Sequence, residues 1–256
     1  MTPRDPWLRF AHHTPARIAL GRTGASLPTE EVLRFSLAHA QARDAVHAPF
    51  DAEGVAEGIR NLGFDVVAAE SAAISRDMYL RRPDLGRRLS EDSRLRLAAL
   101  AGAEVDLSLV VADGLSSTAV HVQALPFLAA LKFEIERAGW RAAPIVVARE
   151  ARVALGDEAG ALLRARAVVV LIGERPGLSS PDSLGLYLTF APRPGRSDAE
   201  RNCISNVRAE GLSHEAAAFK LAWLLREAFR RGLTGVDLKD ESDLIAAENR
   251  VALPPK

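Results

Sequence analysis

The apolar positions of the chain change period along its length. Between residues 28 and 46, Val32, Leu33, Leu37 and Ala40 recur at helical spacing. Pro28 and Thr29 followed by Glu30 and Glu31 open that helix with carboxylates that complement its dipole. Residues 52–62 read as a second helix, ended by Gly63, and 64–69 (FDVVAA) as a short β-branched strand. From Ser90 the pattern becomes rhythmic. Ser90 caps a helix that stops by Gly102, and 105–112 (VDLSLVVA) is a buried strand. A helix over 117–138 ends at Gly139, 144–148 is the next strand, and 157–165 a short helix. The run 167–172 (AVVVLI) is the most apolar strand, 184–190 another, and 213–231 a long closing helix stopped by Gly232.

Strands that are nearly continuous in apolar residues and alternate with helices predict a mostly parallel sheet covered on both faces. The expected architecture is α/β: a Rossmann-like domain over residues 61–256 that includes a C-terminal tail. It is preceded by an N-terminal arm and small helical domain over 1–60. Pro3, Pro6 and Pro15 interrupt the first twenty residues, which predicts an extended arm. Its apolar residues Trp7, Leu8 and Phe10 require cover, from this domain or from another subunit.

Composition narrows the class. Of 256 residues, 33 are Lys or Arg and 33 Asp or Glu, so the formal net charge is zero. Such a surface has no general attraction to phosphate backbones or anionic membranes, so neither nucleic acid nor membrane is an expected partner. It favours association with other proteins. The single cysteine, Cys203, excludes an internal disulfide and any multi-thiolate metal site, and fits a reducing cytoplasm. The first residues carry Arg and Asp and no apolar core of signal-peptide length. No segment approaches the roughly 20 apolar residues of a membrane helix.

Ligands of open α/β sheets bind beyond the carboxyl ends of the strands. Four loops therefore carry the candidate chemistry: Asp113-Gly114-Leu115-Ser116-Ser117, Arg149-Glu150-Ala151-Arg152-Val153, Gly173-Glu174-Arg175-Pro176-Gly177-Leu178, and Ala191-Pro192-Arg193-Pro194-Gly195. The first also reads as a plain turn and helix cap. In the third, glycines and a proline fix the bend and present Glu174, a carboxylate suited to polar recognition, although Arg175 could simply neutralise it. Cys203 has no histidine near in sequence, and a lone cysteine is usually a small hydrophobe, so it is a poor nucleophile candidate. His12 and His13 are adjacent on an arm expected to be extended, where they point apart and make a poor metal site. No phosphate-binding Walker loop, dinucleotide glycine fingerprint or Gly-x-Ser-x-Gly elbow is present. The residues alone give an α/β ligand-binding domain without a catalytic set. A stand-alone nucleotide- or small-molecule-binding protein is the alternative reading.

Taken together, the loops resemble the small (light) subunit of ethanolamine ammonia-lyase. The matching stretches are Leu80-Arg81-Arg82-Pro83-Asp84-Leu85-Gly86-Arg87-Arg88, Ala112-Asp113-Gly114-Leu115-Ser116, Gly173-Glu174-Arg175-Pro176-Gly177-Leu178, Asp182-Ser183-Leu184 and Cys203-Ile204-Ser205-Asn206. They stand in the family's order, and the resemblance covers residues 16–235.

The resemblance implies one subunit of a hetero-oligomer that converts ethanolamine to acetaldehyde and ammonia. The route is a radical one begun when the cobalt–carbon bond of adenosylcobalamin breaks. It implies that catalysis belongs to a TIM-barrel large subunit, and that this chain covers part of the shared corrinoid without catalytic residues of its own. By motif, the cofactor contacts fall on Val153, Glu174 and Cys203. The Asp-x-His-x-x-Gly signature of domains that ligate cobalt through histidine is absent, so no metal ligand is expected here. Some relatives carry a longer leader associated with packaging into a bacterial microcompartment; the leader here is short, and the resemblance leaves packaging open. The stretch after Gly235 extends past the family's usual end and reads as an exposed, partly helical tail.

Overall fold

A computed structural model describes residues 6–14 and 16–244. In chain order the elements are α1 (Thr29–His47), α2 (Ala52–Asn61), β1 (Val66–Glu70), α3 (Arg76–Arg81), α4 (Glu91–Ala99), β2 (Val105–Ala112), α5 (Ser117–Ala138), β3 (Ile145–Arg149), α6 (Leu155–Leu162), β4 (Ala165–Gly173), β5 (Leu184–Phe190), β6 (Asn202–Val207) and α7 (His214–Arg231). The strands form one six-stranded sheet in the order β1-β3-β2-β4-β5-β6.

Neighbours from β1 to β4 run parallel, and β5 and β6 each join antiparallel. Side chains alternate between faces of a strand, and both faces here are apolar. Leu107, Leu109 and Val111 of β2 with Ala167, Val169 and Leu171 of β4 pack under α2, α5 and α7. Val110 and Ala112 with Val168, Val170 and Ile172 point the other way, under α4 and α6. This two-sided burial is why these strands read as unbroken apolar runs. Ser116 caps α5 by accepting from the Ala119 N–H, and Gly139 ends it at φ 67°. Ser213 and Gly232 do the same for α7.

Three expectations differ from the structure. Pro6–His13 is a 3-10 helix, not an extended arm. Proline's fixed φ suits the first position of a helical turn, and no proline interrupts the seven residues after it. Pro3 and Pro15 lie outside the described residues. Within the arm, Trp7, Leu8 and Phe10 keep exposures of 63%, 46% and 41%.

Second, the loop 191–195 lies at the opposite edge of the sheet from the other three. Because β5 runs antiparallel to β4, its end returns to the start of β4, where the Ala191 N–H donates to the Arg166 carbonyl.

Third, the segment after Gly235, as far as Leu244, is fastened to the domain although most of its residues are exposed. Leu238 and Ser242 are buried, Asn202 bonds the backbone of Gly235 and Leu238, and Lys220 pairs with Asp240 and Asp243.

Candidate functional site

The chain leaves β2 through α5 to reach β3 on one side, then crosses through α6 to β4 on the other side of β2. Helices α5 and α6 lie on opposite faces. The strand order therefore reverses between β2 and β4, and a crevice opens beyond their carboxyl ends. Two glycines set its floor. A Cβ on Gly173 would stand 2.0 Å from the Ser116 carbonyl oxygen, and one on Gly114 2.3 Å from the Gly173 oxygen. Gly114 also holds φ 57°, a left-handed conformation that L side chains rarely adopt. With neither side chain present, the Leu115 N–H donates to the Gly173 carbonyl at 2.9 Å.

Above this floor is a cavity of about 480 Å³ lined by Tyr79, Gly114, Leu115, Arg152, Val153, Ile172, Gly173, Glu174, Arg175 and Tyr187. Val153, from the turn between β3 and α6, and Glu174, from the end of β4, thus face one space. Glu174 accepts from the Ser183 hydroxyl at 2.5 Å, the Ser205 hydroxyl at 2.6 Å and the Asn206 N–H at 3.2 Å. Its carboxylate ties the ends of β4, β5 and β6 together. No ion pair joins it to Arg175 among the described residues. Neutralisation by the adjacent arginine is therefore not how Glu174 is held. Gly185 leaves it room, since a Cβ there would meet the Glu174 side chain at 2.9 Å.

Cys203 does not line the cavity. It stands opposite Tyr187 in the β5–β6 ladder, exposed, beside buried Ile204. Desolvation by the surrounding protein raises its thiol pKa; the hydrogen bond with Tyr187 opposes that shift and the Glu174 charge adds to it. A raised thiol pKa leaves little thiolate at neutral pH, which is the opposite of nucleophile activation.

The loop that follows Glu174 is anchored from several sides. Arg208 donates to the Ser179 carbonyl at 3.0 Å and pairs with Asp182 at 3.2 Å. Gln123 donates to Asp182 at 3.0 Å and Ser116 to the Pro181 carbonyl at 2.7 Å. The β2 and β3 ends are joined through Asp113, which accepts from the N–H groups of Gly114, Glu150 and Ala151, each at 3.0 Å, and from Arg76 at 3.3 Å. Burial raises the Asp113 pKa to about 6, against these donors, with Glu150 adding to the rise.

Tyr79, Arg152 and Tyr187 were not among the candidates from motifs, although Arg152 stands in a selected loop. Tyr79 reaches the cavity from α3, and its contacts with Ala151 and Arg152, more than 70 positions away, place it there. Tyr187 was discernible as a polar-tipped ring in an otherwise apolar strand.

A larger depression, about 750 Å³, lies beyond the ends of β1 and β3 beside the start of α4. Its wall mixes carboxylates and guanidinium groups, among them Glu70, Asp92, Arg88 and Arg149, and includes none of Val153, Glu174 and Cys203. Among the described residues no cluster of three or more His, Cys, Asp or Glu side chains is placed to hold a metal ion. No described helix is long and apolar enough to cross a membrane.

A family model for the ethanolamine ammonia-lyase light chain matches residues 4–239. The chain is 57% identical over 251 residues to an ethanolamine ammonia-lyase small subunit of Pseudomonas putida strain F1, covering 97% of this chain and 92% of that protein. It is 58% identical over 247 residues to the small subunit of Pseudomonas aeruginosa strain UCBPP-PA14, covering 95% and 90%. The small subunit of Xanthomonas campestris pv. campestris is 58% identical over 244 residues, with 94% and 90% covered.

Proposed function

The chain belongs to the ethanolamine ammonia-lyase light chain family, and from that premise we infer that it supplies one wall of an adenosylcobalamin site completed by a catalytic large subunit. In this reading the doubly covered sheet is a Rossmann-like cofactor domain, and the cavity between the ends of β2 and β4 is its share of the site. The observation that carries the reading is that Val153 and Glu174 line one cavity at the reversal of strand order.

The residues present fit the group. A corrin is a broad apolar disc fringed with amides. Leu115, Val153 and Ile172 offer apolar contact, and the bare backbone at Gly114 and Gly173 allows close approach. An ionised carboxylate has about four lone-pair sites. Glu174 uses three of them within the chain, which leaves one for an amide N–H. Because Ser183, Ser205 and Asn206 fix the carboxylate, that acceptor is oriented before any ligand arrives. Cys203 extends the same rim as apolar surface beyond Tyr187, and its raised pKa keeps the thiol neutral.

The chemistry the bound group supplies is radical initiation at its cobalt–carbon bond. This chain's part is to bind, orient and cover. Among the described groups near the cavity, Glu174 is held in fixed hydrogen bonds, and no titratable group is paired with a nucleophile in the manner of an acyl-transfer or hydrolytic site.

The test is reconstitution with the large subunit followed by absorbance titration with adenosylcobalamin. Glu174→Gln keeps the size of the side chain but replaces one acceptor oxygen with a donor. It is expected to weaken cofactor affinity by roughly tenfold, the worth of one charge-assisted hydrogen bond. An unchanged affinity would remove Glu174 from the site.

A further inference from the structure

Two guanidinium groups line the cavity between the β2 and β4 ends without an ion-pair partner among the described residues. Arg152 is half-buried, lies 4.3 Å over the Tyr79 ring, and makes one long contact to the Tyr79 carbonyl at 3.4 Å. Its Nε is buried with no partner. Arg175 is exposed at the rim. Among the described residues neither forms an ion pair.

The contrast with Arg76, on the other side of the same tyrosine at 4.8 Å, is direct. Arg76 donates to the Val46 and Gly114 carbonyls and pairs with Asp113 and Glu150, so its charge and its donors are satisfied. Of the two arginines on one buried ring, one is saturated, and the other lines the cavity with donors to spare. A partly desolvated cation with an orphaned donor is costly to keep unless an anion completes it.

We propose that Arg152 and Arg175 form an anion subsite of this cavity that takes the phosphodiester of the corrinoid's nucleotide loop. The proposal rests on the cofactor reading above and sharpens it. The corrin fringe consists of neutral amides, and the phosphodiester is the anionic group that a base-bearing corrinoid adds to it. Glu174 and the arginines then divide the recognition, the carboxylate accepting from amides and the guanidinium groups donating to phosphate oxygens.

The experiment titrates the reconstituted complex with two corrinoids, followed by absorbance. Adenosylcobalamin carries the nucleotide loop; adenosylcobinamide lacks its phosphate, ribose and base. Arg152→Gln and Arg175→Gln are each expected to weaken adenosylcobalamin by roughly tenfold or more and to leave adenosylcobinamide unchanged. Arg152→Lys, which keeps the charge, should recover part of the loss. Arg175 is exposed and forms no ion pair among the described residues, so its variant does not threaten folding. Equal weakening of both corrinoids, or of neither, would overturn the anion subsite while leaving the cofactor reading intact. Failure of the wild-type complex to bind either corrinoid would overturn the cofactor reading, and the subsite with it.

Discussion

Asp113 joins the carboxyl ends of β2 and β3 beside the candidate site, and does so with a buried carboxylate. Its oxygens accept from three backbone N–H groups and one guanidinium, yet burial still raises its pKa to about 6. The folded protein therefore binds that proton more tightly than the unfolded chain, where an aspartate titrates near 4. The stability this group contributes is full below the unfolded pKa and is lost as pH rises through about 6. Relative to Asp113→Asn, the wild-type protein is expected to lose roughly 2 kcal/mol between pH 4 and 7, since each tenfold difference in proton affinity is worth about 1.4 kcal/mol and part of the difference is already spent at pH 4. Denaturant unfolding of both proteins across that range checks this; parallel curves would contradict it. At this scale the sequence exposed Glu174, because a charged residue directly after the most apolar strand has few places to go. Arg76, Tyr79 and Arg152 were hidden, since each acts through partners between 30 and 74 positions away.

Among the elements, β2, β4 and α5 carry the site because they place two glycines back to back. Gly173→Ala puts a Cβ against a backbone oxygen that belongs to the capped start of α5 and has little freedom to move. The variant should be destabilised by roughly 1–3 kcal/mol, the usual cost of overpacking, and should bind cobalamin less well in the complex. Wild-type stability and affinity together would contradict this role for the floor.

The strands β2 to β5 and the long helices were readable from apolar period, Ser caps and terminal glycines. The direction of β5 was not, because an apolar run has no polarity and only the length of the preceding loop separates a return from a crossover. Strand β6 is hidden in the sequence for a different reason. Only Ile204 and Val207 point into the core, and a register shift with Asn206 at φ 59° breaks the alternation between them.

For the molecule as a whole, the proposed division of labour gives chemistry to the partner and cofactor contact to this chain. The cavity is open, which suits a ligand whose remaining surface is covered by a second protein. The strand-end rule selects the loops that carry Val153 and Glu174, and both residues line this cavity. Cys203 came from the family motif alone and lies beside it. The isolated chain is expected to release no ammonia from ethanolamine, and to gain cobalamin-dependent activity on addition of the large subunit. The most direct test of the cofactor role is the adenosylcobalamin affinity of the complex carrying wild-type or Glu174→Gln small subunit, read by absorbance titration against the large subunit alone. Tight binding is expected only when the wild-type small subunit is present, with a loss of roughly tenfold in the variant. Equal affinity with and without this chain would contradict that role.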